Sequence, residues 1–218
     1  VMVGGLFLVS MLPIARAPSL SIDTSDRPRL DFWTCCYQQW FGALLMLASG
    51  VYLGVIYSLY PYYLSLRGLD DHHIAWIMAL TLAGAGAFQW PYSRWANRIP
   101  QIPCLCGDFC LIAILMIGIH FVPNNGLLIC SFLLGGMAFL FYPIAIGAIT
   151  AESRGTIMVS RVSIAAILYS IGAALGPILA APFIRQWHSD GFVIFTLGFS
   201  LMLVLLSAAV LKFKWYNL

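Results

Sequence analysis

Apolar residues run along this chain in long blocks, and polar residues gather in the short gaps between them. Six blocks, at 33–60, 73–93, 102–122, 126–150, 159–183 and 191–211, each predict a helix. All are near or above the ~20 residues that cross about 30 Å of hydrocarbon. A shorter apolar run, Val1–Ile14, precedes them and is stopped at Pro13. The pattern divides the chain into the end of an earlier membrane helix (1–15), a polar linker (16–32) and a six-helix unit (33–218). The linker carries Pro18, Pro28, serines and mixed charges, which suits a loop.

Local chemistry accounts for each gap. Pro61, Arg67-Gly68 and Asp70-Asp71 separate the first two blocks, with Asp70 or Asp71 placed to cap the next helix. Pro100 and Pro103 open the third block. Pro123-Asn124-Asn125-Gly126 and Glu152-Ser153-Arg154-Gly155 read as tight turns, and Ser189-Asp190-Gly191 closes the last connection.

Composition fixes the solvent. Sixty-one per cent of the 218 residues are hydrophobic and 9% are charged, and the mean hydropathy is +0.91. A soluble domain carries about 25% charged residues, so the partner of most of this surface is a lipid bilayer. With the gaps alternating sides, Arg16, Arg27, Arg29, Arg94, Arg98, Arg154, Arg161, Lys212 and Lys214 share one face, against Arg67 and Arg185 on the other. Short basic loops stay inside, so the linker and the C-terminus are expected in the cytoplasm of a cell with this chain in its inner, plasma membrane. The opening run Val1–Ala17 lacks a basic n-region and reads as the tail of a membrane helix rather than a signal peptide. Trp33, Tyr37 and Trp40 at one edge, with Tyr60, Tyr62 and Tyr63 at the other, read as interfacial belts.

Small residues at helix-packing spacing, Gly50-x3-Gly54, Ala83-x3-Ala87 and Gly172-x3-Gly176, let helix backbones approach closely. Gly176-Pro177 adds a bend, because proline removes a backbone donor. Few ionisable groups fall within the blocks, which gives each weight. Asp108 has two readings: a proton-titrating carboxylate facing a cavity, or a hydrated one paired with Arg94 or Arg98. Glu152 is placed to pair with Arg94 or Arg98 as a latch. The six cysteines read as small apolar residues, and the four histidines have no metal-ligand spacing. No nucleophile, metal, cofactor or phosphate-binding pattern is present, and nothing calls for a nucleic acid. Enzymatic chemistry finds no support.

The stretch Ser93-Arg94-Trp95-Ala96-Asn97-Arg98-Ile99-Pro100-Gln101 resembles the short cytoplasmic loop signature of the major facilitator superfamily, roughly G-x-L-A-D-R-x-G-R. Ala96 and Arg98 are retained, while Ser93, Asn97, Pro100 and Gln101 depart from the pattern. Other pieces follow in the family's order. Tyr57 to Leu64 with Arg67-Gly68-Leu69-Asp70 is similar to the end of the seventh helix and its outer loop. Phe141-Tyr142-Pro143-Ile144-Ala145 leading to Glu152 is similar to the tenth helix, and Gly172-x3-Gly176-Pro177 to the eleventh. The combination is similar to a bacterial subgroup of uncharacterised facilitators.

The resemblance implies an all-α membrane fold: two inverted three-helix repeats in one six-helix bundle, preceded by part of another helix. It implies half of a secondary transporter that moves a small-molecule substrate by alternating access. Its partner would be an N-terminal six-helix half in the same or another chain. It also implies a cytoplasmic gate at Ser93, Arg94, Asn97, Arg98 and Glu152, with Tyr52, Tyr57, Phe139 and Tyr142 beside the substrate cavity. Asn97 stands where the family has a carboxylate, and a neutral amide supplies no charge attraction. The alternative reading is a truncated or degenerate membrane protein with no transport of its own.

Overall fold

The computed structural model describes residues 32–96, 98, 100–150, 153 and 155–216. Among these residues the chain forms seven helices: α1 Phe32–Gln38, α2 Trp40–Leu66, α3 Asp71–Trp95, α4 Gln101–Phe121, α5 Asn124–Thr150, α6 Gly155–Trp187 and α7 Ser189–Tyr216. The six from α2 onward are long and apolar enough to cross a membrane. The expected partial helix at 1–15 and most of the linker lie outside the described residues.

Several boundaries differ from the sequence expectation. The first block breaks at Gln39, which sets off α1, and then runs through Pro61 to Leu66. Stopping a helix in hydrocarbon would strand several backbone groups, whereas an internal proline costs one hydrogen bond. The same argument covers Pro91 in α3, Pro143 in α5, and Pro177 and Pro182 in α6. The four-residue turn expected at 123–126 shrinks, because α5 already begins at Asn124. Val122 supplies the break: its backbone is extended, at φ −72° and ψ 137°, the conformation a following proline enforces. Between α6 and α7 the reversal falls on His188, at φ 51°.

Asp70 occupies the position before α3, but its side chain makes no capping bond. Its carboxylate instead meets Nδ1 of His73 one turn on. That hydrogen bond holds the Asp70 carboxyl below its ordinary range.

The most extensive interfaces join α2 to α6 and α3 to α5, followed by α4 to α7. Exchanging the first three long helices with the last three swaps the first two interfaces and leaves the third in place. Such pairing is what two inverted three-helix repeats require.

Glycine makes both swapped crossings possible. A methyl group on Gly50 or Gly54 would strike the backbone of Tyr169 or Ala173. Reciprocally, one on Gly172 or Gly176 would strike the backbone of Leu47 or Val51. At the other crossing Gly84 lies on the Phe132 carbonyl and Gly135 on the Thr81 carbonyl. The Ala83-x3-Ala87 pair expected to pack is exposed instead. Gly84, about 100° round the helix from Ala83, faces the partner.

The core also corrects the outer aromatic belt. Tyr60 and Tyr63 lie one turn apart on the inner face of α2 and stack on Phe192 at 5.5 and 5.1 Å. Only Tyr62 of the three is exposed. Tyr60 Oη shares a 2.5 Å hydrogen bond with Ser131 Oγ of α5.

Beyond them Arg67 closes the end of the bundle. Its Nη1 donates to the Ile119 carbonyl at 2.6 Å and its Nη2 to the Val122 carbonyl at 2.9 Å. Both carbonyls lie at the C-terminus of α4, where orphan acceptors favour a cation. Arg67→Met, which keeps the stem and removes both bonds, is expected to cost about 2 kcal/mol. Thermal unfolding of the purified protein measures it, and an unchanged midpoint would mean that water replaces the guanidinium at no loss.

Candidate functional site

A surface in lipid carries apolar side chains, and most of this surface does. On α4 the exposed residues include Leu111, Ile114, Ile117 and Phe121, and on α7 they include Ile194, Leu201, Met202 and Leu205. One face differs. Tyr57 of α2 is 45% exposed, with its ring edge-on to Phe139 of α5 at 5.5 Å. Tyr142 of α5 stands edge-on to Tyr169 of α6 at 5.1 Å. Phe139 and Tyr142 are three residues apart on α5 and share a face of it, so the two pairs form one patch across three helices.

Depth makes this patch unusual. Tyr57, Tyr142 and Tyr169 are each eight or more residues from either end of their helices, or at least ~12 Å at 1.5 Å per residue. Hydroxyls held there need a polar surrounding, because hydrocarbon offers no hydrogen bond.

Tyr142 also lines a cavity of about 460 Å³, together with Gln89, Tyr92, Ser93, Ala96, Gln101, Pro143 and Gly147. This cavity lies where the end of α3, the start of α4 and the last third of α5 meet. Gln89 Nε2 donates to the Phe139 carbonyl at 3.3 Å, which ties α3 to the aromatic patch. Gln101 covers Gly147, where a Cβ would come within 3.0 Å of its Nε2.

Of the residues expected to form a gate, Ser93, Arg94 and Arg98 are described. Ser93 lines the cavity, and its hydroxyl donates back to the Trp90 carbonyl at 2.8 Å. Arg94 lies over the Trp90 ring, 4.3 Å from its centroid, and Arg98 is exposed. Asn97 and Glu152 lie outside the described residues, and with them the expected latch.

Arg161 is the basic residue whose role the sequence reading missed. Its Nη1 donates to Ser153 Oγ at 3.1 Å and to the Ile149 carbonyl at 3.5 Å, joining the start of α6 to the end of α5. Its place as the sole charged residue between 155 and 184 was the available signal.

Two expectations change. Tyr52 lies inside the bundle, 1% exposed and stacked on Phe199 of α7 at 6.3 Å, not on the patch. Five residues separate it from Tyr57, which turns it about 140° round the helix.

Asp108 is not a hydrated partner of Arg94 or Arg98. It is 5% exposed, and neither carboxylate oxygen has a hydrogen-bond partner among the described residues. It points inward with Leu105 and Ile112, at i−3 and i+4, which are both fully buried. Tyr52 and Tyr92 are within its electrostatic reach.

No family model matches the chain. The chain is similar to curated proteins described as uncharacterised MFS-type transporters. It is 26% identical to one from Yersinia enterocolitica over 206 residues, 94% of this chain and 53% of that protein. It is 26% identical to another from Escherichia fergusonii over 212 residues, 95% of this chain and 55% of that one. A relative from Yersinia pestis is 25% identical over 193 residues, 88% of this chain and 50% of its own length. The chain spans about half the length of the curated relatives it matches. The matches and the six long apolar helices together mark a multi-pass membrane protein related to MFS-type transporters.

Proposed function

We propose that this chain is the C-terminal half of a secondary transporter of the major facilitator type. The half moves a small solute by exposing the Tyr57–Phe139–Tyr142–Tyr169 face to the two sides of a membrane in turn. The observation that carries the reading is the division of the exposed surface. The outer sides of α4 and α7 are apolar, while α2 exposes Tyr57 at membrane depth, with half-buried Tyr142 of α5 and Tyr169 of α6 at the same patch. Lipid penalises such groups, whereas a water-filled cleft facing a second six-helix half does not.

The distribution of proline supports the same division of labour. Interior prolines fall in α2, α3, α5 and α6, whose pairings form the two crossings. Helices with interior prolines can bend against α4 and α7, whose interiors have none, as the halves rock. In this reading the end of the bundle with Ser93, Arg94, Asn97 and Arg98 is the cytoplasmic gate of an inner-membrane protein. Glu152 is proposed to supply to Arg94 or Arg98 the carboxylate that Asn97 lacks. Arg98→Ala then weakens closure, and uptake or efflux falls about tenfold, the effect of losing ~1.4 kcal/mol of coupling, with expression retained. Unchanged transport would remove the gate role.

The face itself is tested in the full natural chain in membrane vesicles, with the native cysteines replaced. A cysteine at Tyr169 should react with a membrane-impermeant maleimide, while one at Leu205 should stay protected. Equal protection at both positions would overturn the cleft, and with it this reading.

A further inference from the structure

We propose that the solute accepted by this face is uncharged and carries a flat ring with hydrogen-bonding substituents. This rests on the transporter reading above and names the chemistry of the same site. The patch is Tyr57, Phe139, Tyr142 and Tyr169, and the cavity beside it, toward the end of α3 and the start of α4, adds Gln89, Tyr92 and Gln101. None of these carries a formal charge at neutral pH.

An ion moved into a cleft between membrane helices loses most of its hydration, and that loss must be offset by an opposite charge. Among the described residues no charged side chain lines the cavity, Arg161 included, whose Nη1 goes to Ser153 and the Ile149 carbonyl. Asp108 is buried within the bundle and lines neither patch nor cavity. Arg94 is held over the outer Trp90 ring. A neutral solute avoids the penalty.

The ring geometry says what the site does attract. Both aromatic pairs are edge-on, with interplanar angles of 89° and 78°. Half-exposed Tyr57, and Tyr142 on the cavity wall, are placed to stack against a flat guest. Polar selection falls to the amides and phenols. Gln89 spends one N–H on the Phe139 carbonyl, which fixes its side chain and leaves its carbonyl oxygen and second N–H to read a guest. A cavity of about 460 Å³ is within the ~300–1,000 Å³ usual for small-molecule sites.

The test uses three phenols of nearly equal shape with the full natural chain: neutral 4-hydroxyphenylacetamide, cationic tyramine and anionic 4-hydroxyphenylacetate. Thermal unfolding is followed against the concentration of each. The neutral amide is expected to bind at least tenfold more tightly than either ion. Tyr57→Ala should weaken it about tenfold, read from the ligand-induced shift relative to the variant's own unliganded melting point. Gln89→Glu adds one negative charge to the lining and should turn the preference toward tyramine, which a merely structural glutamine would not do. Equal or tighter binding of an ion to the unaltered protein, no stabilisation by any of the three, or an unmoved preference in Gln89→Glu would each overturn the proposal. The cysteine labelling at position 169 separates the two failures. A labelled cleft with the wrong charge preference overturns the solute class alone, and an unlabelled one overturns the cleft as well.

Discussion

Gly50→Ala is expected to cost about 3 kcal/mol or more and to leave little folded protein on purification, since overpacking a tight site costs ~1–3 kcal/mol even where side chains can give. Here they cannot. The added methyl would meet the Tyr169 carbonyl oxygen, with the Ala173 amide nitrogen 2.8 Å and the Tyr169 carbonyl carbon 2.9 Å away. All three are backbone atoms of a neighbouring helix, and no rotamer change moves them. The helices would have to separate at the crossing, which also pulls Gly54, Gly172 and Gly176 from their contacts.

Gly86→Ala and Gly198→Ala are the controls, because nothing lies within 4 Å of the methyl that either would gain. With no collision, alanine's helix preference of up to ~1 kcal/mol should leave them as stable as the parent or more so. Thermal unfolding of the full natural chain, read by loss of monodisperse protein, compares the three. A Gly50→Ala midpoint equal to the parent's would show that the α2–α6 crossing has slack, and the argument from close approach would fail.

The spacing that marks Gly50, Gly54, Gly172 and Gly176 was legible in the sequence, because glycines four apart stay on one face of a helix. The other crossing was not. Ala83 and Ala87 have the same spacing, yet the contact is made by Gly84. A helix that is apolar on all sides has no period to say which face turns inward. The same blindness misplaced Tyr60 and Tyr63, which look like interface anchors in the sequence and stack in the core.

The six spans themselves were plain, since length and hydropathy alone report them. Their ends were less so, because prolines that would stop a helix in water are carried through in lipid. Of the site, Tyr57, Phe139 and Tyr142 converge on one patch. Tyr169 was missed although it is the single aromatic residue between 155 and 182, because nothing in the local sequence says that α6 turns that residue toward α5.

Asp108 is the second large effect expected. Asp108→Leu should raise thermal stability by about 1–3 kcal/mol, and Asp108→Asn by less. An unsatisfied buried polar group carries a desolvation penalty of that size, and removing it recovers the loss. The site invites the change. Both carboxylate oxygens are without partners among the described residues, and fully buried Leu105, Phe109 and Ile112 surround it along α4. The ranking discriminates, since asparagine keeps a polar head that still lacks partners while leucine leaves none. A fall of ~3 kcal/mol or more in Asp108→Asn would mean the reverse, that the carboxylate is held by a partner the fold depends on. If the stable variants lose transport, the cost of the native carboxylate is explained by use, because destabilising groups persist where activity needs them. Asp108 is suited to such use, being within electrostatic reach of Tyr52 in the core and of Tyr92 on the cavity wall.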